Sequence, residues 1–484
     1  MKLIQLNDWN FSWINGEKVQ LDDTSEVINP ATGETIGLVP NGGKELTQRA
    51  IEAASQALPS WSKLTAGQRG TYLLDWADRV LADKEALAQL LSLEQGKPLE
   101  EARGEIEGVA VYIRWYAEEG KRAYGEIIPA SRPGQRLMVL REAIGVVGLI
   151  TPANFPAAIL AMKVAPALAA GCSFVLKPAE QTPMIAIALI SHLMDTNLPA
   201  GVANLVTGNP EVIGSTLSAD SRVRKIAFTG STEVGKILMR QAADNVKRLT
   251  LELGGNAPVI VFPDADLDKA VDGIMGNKFE NCGQVCNGIN LIYVHETIHH
   301  ELVEKLAERI KLLKVASGTE PGSQIGPMID PSYLDKVETL VNDAVAKGAK
   351  VLVGGNRIAR EGYQNGYFYA PTLLDEVHAE MELTRREIFG PIAPVLTFTD
   401  EEDVVKRCNN TPYGLAGYVY TKDAARMFRM IDGLEVGNLA INGTSLANPQ
   451  TPFGGVKESG IGRVGGHQGL EEYLELKYVS LTLE

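Results

Sequence analysis

Val146-Val147-Gly148-Leu149-Ile150-Thr151-Pro152-Ala153-Asn154-Phe155-Pro156 is the stretch whose reading decides the fold. It begins as an apolar strand, Val146 to Ile150, breaks at a proline-bounded turn and continues as a helix, Pro156 to Ala169. The pattern then repeats: strand at Ser173 to Leu176, helix at Pro183 to Asp195, and strands at Ala203 to Val206, Lys225 to Phe228 and Val259 to Phe262. Continuous apolar runs are what parallel strands buried on both faces require. The chain therefore reads as α/β and doubly wound, with ligands expected at the carboxyl ends of the strands.

Outside this stretch, 484 residues exceed one ordinary core and imply two or three domains. Before Gly120, apolar residues recur at helical spacing in Leu46 to Leu58, Thr65 to Ala82 and Ala86 to Leu93. Tyr124 to Arg141 is punctuated by Pro and Gly and strand-like at Arg136 to Leu140, an excursion from the domain around it. After Gly254-Gly255 a second α/β region runs to about Phe453, and Tyr478 to Leu483 alternates like an exposed edge strand.

A formal net charge of -14 weighs against nucleic acid and anionic membranes as partners, though not against a local basic pocket for an anion. Four cysteines make no disulfide framework and point to a reducing compartment. Met1 to Gly16 carries Asp8, Trp9 and Asn10 where a signal peptide needs an apolar core, and no apolar run approaches membrane-spanning length. A cytoplasmic location is expected.

Several residues carry chemistry. Lys177 and Glu180 follow the second strand, where a dinucleotide fold places the acid that binds ribose hydroxyls; solvated surface charge is the alternative. Phe228-Thr229-Gly230-Ser231-Thr232-Glu233-Val234-Gly235 passes from strand to helix, so its amides either meet a phosphate or merely cap. The Gly-x-Gly-x-x-Gly fingerprint is absent after the first strand. Phe279-Glu280-Asn281-Cys282-Gly283-Gln284-Val285-Cys286 sets two thiols four residues apart on a loop between a helix and a strand. Each thiol is either a small buried apolar group or reactive; no second Cys or His pair stands at zinc spacing, so no metal site is expected. Glu252, between Leu251 and Leu253 at a strand end, is a base with a burial-raised pKa or a simple cap. Asn154 is an oxyanion donor or ordinary turn chemistry.

Taken together, Pro152-Ala153-Asn154-Phe155-Pro156, Lys177-Pro178-Ala179-Glu180, Phe228-Thr229-Gly230-Ser231, Leu251-Glu252-Leu253-Gly254-Gly255, Gly283-Gln284-Val285-Cys286, Glu387-Ile388-Phe389-Gly390-Pro391 and Pro452-Phe453-Gly454-Gly455 resemble, in order and nearly end to end, the NAD(P)-dependent aldehyde dehydrogenase superfamily. The resemblance implies Cys286 as nucleophile, Glu252 as general base and Asn154, with the Cys286 amide, as oxyanion donor. It implies Ile150, Pro152, Lys177, Glu180, Gly230, Ser231, Glu387 and Phe389 as cofactor-binding residues. It divides the chain into a dinucleotide-binding domain (1–122 and 143–253), a catalytic domain (254–453) and a small β oligomerisation element with tail (123–142 and 454–484), in a homodimer or homotetramer. A thiohemiacetal on Cys286 would become a thioester, which water activated by Glu252 hydrolyses.

Within that resemblance the chain is similar to the lactaldehyde and succinate-semialdehyde branches. Met162 and Glu280 stand where arginines commonly grip a distal carboxylate, and Ala153 replaces a bulky tryptophan. A small polar aldehyde, hydroxylated or sugar-derived and lactaldehyde-like, is the expected substrate, with succinate semialdehyde or a related semialdehyde as the alternative. Glu252 speaks against a coenzyme-A-acylating enzyme, and the full set of Cys286, Glu252 and Asn154 against a non-catalytic protein. Glu180 favours NAD over NADP by repelling a 2′-phosphate, while Lys177 leaves dual use open.

Overall fold

The computed structural model describes residues 9–358 and 362–483, so residues 1–8 of the Met1 to Gly16 reading lie outside the described residues. The stretch at 146–156 folds as read. Val146–Ile150 is a fully buried strand and Pro156–Ala170 the helix behind it, with Pro156 at its first position, where a missing N–H costs nothing. Val146–Ile150 lies between Val223–Thr229 and Ser173–Lys177, parallel to both. Arg248–Glu252 continues beyond the first and Ala203–Leu205 beyond the second. The chain thus builds outward from Val146–Ile150 in both directions, which makes the gap between it and Val223–Thr229 the topological switch point. Antiparallel Ser12–Ile14 and Glu17–Val19 extend one edge, and Gly460–Ile461 closes the other against Leu251 and Glu252.

A second sheet runs in the order Lys350–Val353, Thr372–Asp375, Ile392–Phe398, Ile289–His295, Ala257–Val261, Ala416–Tyr420, Asn438–Ile441, parallel except for the first strand. The strand expected at Val259 to Phe262 belongs here rather than to the first sheet: Ala257–Val261 pairs in parallel with Ile289–His295 and with Ala416–Tyr420. Gly255 has no room for a side chain: a Cβ would sit 2.5 Å from the Cys286 carbonyl oxygen.

The excursion and the tail meet. Gln135–Ala143 pairs with Glu126–Ile128 on one side and, in unbroken antiparallel register, with Leu474–Thr482 on the other. The tail strand begins four residues before Tyr478. Its sheet is largely exposed, with Ile127, Leu476 and Tyr478 in solvent. Residues 454–484 do not stay together: Gly460–Ile461 joins the first sheet, and only Leu474–Thr482 joins the small one.

A helix of 21 residues, Leu99–Glu119, packs on Ala66–Ala82 and Pro156–Ala170 and buries Ile106, Val109, Ile113 and Tyr116. Each such side chain withdrawn from water contributes about 1.5–3 kcal/mol. Carboxylates on the same helix reach the site.

Candidate active site

The loop carrying Cys286 is shaped by backbone that most residues avoid. After Leu267–Lys278 ends, Asn281, Cys282 and Gly283 all take positive φ (48°, 58° and 70°). Left-handed backbone at a non-glycine residue costs about 1–2 kcal/mol, so neighbours must hold it. Asn281 N donates to Glu101 Oε2 at 2.9 Å, and Gln284 Oε1 accepts from Ile329 N at 2.9 Å while its Nε2 donates to Asn281 O at 3.0 Å. Gly283 is obligatory, since a Cβ there would lie 2.2 Å from Gly390 O. The Gly-Gln-x-Cys sequence is thereby explained: Gly283 permits the close approach, Gln284 anchors the loop, and Cys286 is delivered beyond it.

Cys286 is half-buried, whereas Cys172, Cys282 and Cys408 are buried. It lines a cleft of about 440 Å³ at the carboxyl ends of the first sheet's parallel strands. All eight cofactor-binding candidates line the same cleft, as does Asn154. Glu252 does not: it ends its strand behind the cleft, where a Cβ on Gly454 would come within 2.9 Å of its Oε1. Both Glu252 carboxyl oxygens are buried without a partner among the described residues. Burial pushes this carboxyl up to about 8, against the opposing pull of Lys163 and Arg463. The Cys286 thiol is pushed up to about 12 by burial and then by the carboxylates of Glu387 and Glu252.

Asn154 is buried, and its Nδ2 donates to Gln284 O at 3.0 Å. An amide nitrogen carries two hydrogens, so one remains for another acceptor. Cys286 packs on an apolar cluster of Leu415, Phe453 and Val464, as do Met162 and Leu446. Met162, the position expected to hold an arginine, thus packs on the same apolar cluster as Cys286. Glu280, the other such position, is exposed at the start of the turn.

The cleft suits a dinucleotide. Ser231 caps the helix Thr232–Ala242, its Oγ accepting from Val234 N at 3.3 Å, and this helix start faces the cleft. Lys177 and Glu180 form an ion pair at the end of the second strand. Glu387 Oε1 accepts from Gly255 N at 3.1 Å, and Phe389, at φ 54°, rests on Tyr333 with ring centroids 5.4 Å apart. Thr151 Oγ1 is buried in the cleft wall without a partner among the described residues, leaving a polar contact for a ligand. Tyr333, Lys336, Arg386 and Tyr413 line the cleft too, and no sequence motif marks them. No cluster of His, Cys, Asp and Glu able to hold a metal ion occurs among the described residues.

Residues 13–479 match the model described as "Aldehyde dehydrogenase family". The chain belongs to the aldehyde dehydrogenase family. It is 48% identical to a glutarate-semialdehyde dehydrogenase of Pseudomonas putida, over 98% of each chain. It is 46% identical to the NADP(+) succinate-semialdehyde dehydrogenase of Escherichia coli, over 99% of this chain and all of the relative. Identity to a 3-sulfolactaldehyde dehydrogenase of Pseudomonas putida is 47%, over 97% of this chain and 96% of the relative. A crystal structure of betaine aldehyde dehydrogenase from Staphylococcus aureus in complex with NAD+ superposes with a TM-score of 0.95 at 36% identity, covering 98% and 95% of the two chains. This aldehyde dehydrogenase is an NAD(P)-dependent, non-acylating enzyme that oxidises an aldehyde to the acid. The aldehyde dehydrogenase fold is α/β with parallel-sheet domains, as the repeat at 146–262 predicts. No helix among the described residues is long and apolar enough to cross a membrane.

Proposed function

We propose that this aldehyde dehydrogenase oxidises a short semialdehyde bearing a distal acid group, with Cys286 as nucleophile, Asn154 as oxyanion donor and Glu252 as base. Kinship carries the substrate reading. Glutarate semialdehyde, succinate semialdehyde and 3-sulfolactaldehyde, for which the three relatives are named, are all short aldehydes with an acid at the far end. The apolar cluster of Met162, Leu446 and Phe453, on which Cys286 also packs, suits the methylenes of such a chain. This displaces the neutral hydroxylated aldehyde as the leading reading; that second reading retains the support of Glu280 and Met162 at the two arginine positions.

Cys286 Sγ, its proton lost to water at the open side of the cleft, attacks the carbonyl carbon, and the second Asn154 N–H meets the developing oxyanion. Ile150, Pro152, Lys177, Glu180, Gly230, Ser231, Glu387 and Phe389 would hold NAD(P), whose nicotinamide would supply the hydride acceptor. Glu252 then takes a proton from the water that hydrolyses the Cys286 thioester. The catalytic unit in this reading is built on the seven-stranded sheet, the nucleotide-binding unit on the larger one. The exposed sheet bearing Ile127, Leu476 and Tyr478 is the subunit contact of a homodimer or homotetramer, a state that sedimentation analysis measures. Four free cysteines support a reducing, cytoplasmic setting.

The substrate test compares kcat/KM for succinate semialdehyde, glutarate semialdehyde and lactaldehyde. At least a tenfold advantage for one of the semialdehydes is expected, about 1.4 kcal/mol of differential transition-state binding. Glu280→Arg should widen that advantage by putting a cation where the distal acid passes. A preference for lactaldehyde in the unmodified enzyme would instead establish the neutral-aldehyde reading.

Glu180 sets the cofactor preference in the same proposal. Its carboxylate beside Lys177 repels a 2′-phosphate, so NAD is favoured. In Glu180→Ser, Lys177 loses its ion-pair partner and becomes free for that phosphate. The ratio of kcat/KM for NADP to that for NAD should rise by about tenfold or more. A ratio that stays put would remove Glu180 from the selection.

A further inference from the structure

We infer that Lys97 and Glu105, which no sequence motif marks, are positioning residues that hold Asn154 in register with the Cys286 loop. Lys97 Nζ lies 2.5 Å from Glu105 Oε2 and donates to the Asn154 carbonyl oxygen at 2.9 Å. Both side chains are essentially sealed from solvent (0% and 2% exposed). The second Glu105 oxygen, Oε1, accepts from Ala157 N at 2.9 Å and Ala158 N at 3.0 Å, the free amides at the start of Pro156–Ala170. The pair therefore grips the turn 151–156 at Asn154 and again at the helix that follows. The Phe155 ring lies beneath the ammonium at 3.9 Å.

Two further contacts tie this grip to the nucleophile's loop. Asn281 Nδ2 donates to the same Asn154 oxygen at 2.9 Å, and Asn281 N donates to Glu101, one helical turn before Glu105 on Leu99–Glu119. The segment leading into that helix is itself pressed against the second α/β region: Leu99 N donates to Gly318 O at 2.9 Å, and a Cβ on Gly318 or Gly326 would lie 2.1 Å from the carbonyl oxygen of Lys97 or Gly96. A buried ion pair whose partners are both hydrogen-bonded adds little net stability compared with apolar replacements. It does fix direction, and direction is what an oxyanion donor needs: a displacement of about 1 Å can cost on the order of 10²-fold in rate.

This inference rests on the oxyanion role proposed for Asn154, and the experiment separates the two. Lys97→Met, Asn154→Ala and the double variant are made in the full-length enzyme, with the burst rate of NADH formation as readout. Iodoacetamide alkylation of Cys286 and KM for NAD serve as controls. Lys97→Met should slow the burst by about 10²-fold with KM for NAD and alkylation unchanged, and should add nothing in the Asn154→Ala background. An unchanged burst in Lys97→Met, or losses that multiply in the double variant, overturns the positioning role. If Asn154→Ala alone keeps its burst, the oxyanion assignment falls and the inference falls with it; if only Lys97→Met keeps it, the assignment stands and the inference falls. Should Lys97→Met fail to fold, Glu105→Gln carries the same cycle, because its amide oxygen still accepts from Ala157 N and Ala158 N while its amide nitrogen, a donor, loses both the charge and the hydrogen bond that held Lys97.

Discussion

Cys286→Ala is expected to abolish both the burst of NADH and steady-state turnover, with kcat falling by about 10⁴-fold or more. Cys286 is the one half-buried cysteine, on the wall of the cleft that holds Asn154 and Glu387. Cofactor binding should persist, because the eight residues proposed to hold it lie on other elements, and fluorescence titration with NAD checks this. Cys282→Ala is the control. Its thiol is buried against Met328, Sγ to Sδ 3.7 Å, and does not line the cleft, so an aldehyde bound there does not reach it. That variant should keep turnover within a few fold and lose about 1 kcal/mol of stability from the vacated space. Should Cys282→Ala abolish the burst and Cys286→Ala retain it, the nucleophile would be misassigned.

The residues that disclosed the site did so because each meets a local demand. Gly283 must leave room for Gly390, Gly255 for the Cys286 carbonyl, and Glu252 must end a buried strand; short-range constraints of this kind survive as short motifs. The parallel strands were legible for a related reason, since burial on both faces leaves unbroken apolar runs at Val146–Ile150 and Ser173–Lys177.

What stayed hidden was the helix Leu99–Glu119. Its apolar stripe is regular, with Ala102, Ile106, Val109, Ile113 and Tyr116 at helical spacing, but the same buried face also carries Glu105 and Glu119. Charge at core-facing positions reads as solvent exposure until the partners are known, here Lys97 and two backbone amides more than fifty residues downstream. Tyr333, Lys336 and Arg386 were illegible in the same way: they reach the cleft from the second α/β region, and only the fold brings them opposite Ser231. The preference for a hydroxylated aldehyde rested on two missing arginines, whereas the names of the relatives favour the semialdehyde alternative. One substituted position, Met162, proves to pack on an apolar cluster, a surface as suited to methylenes as to rejecting charge.

Glu252→Gln should separate the two halves of the reaction. The burst survives, because the Cys286 proton leaves to water rather than to Glu252 and hydride loss from the oxyanion takes no proton, and turnover then stalls at the thioester with kcat down by about 10²–10⁴-fold. The unmodified enzyme supplies an independent check through pH. With its carboxyl raised to about 8, Glu252 is mostly protonated at pH 7 and becomes competent as a base as pH rises. Where hydrolysis limits turnover, kcat should therefore climb about tenfold per pH unit below 8 and level off above it. In Glu252→Gln that limb should vanish, leaving the residual rate flat through pH 8. Burial is the largest cause of the shift and Lys163 the largest opposing one, so Lys163→Met should move the midpoint of the limb upward. A limb that persists unchanged in Glu252→Gln would assign the titration to another group and leave the orphaned carboxylate beside Gly454 without a part in hydrolysis.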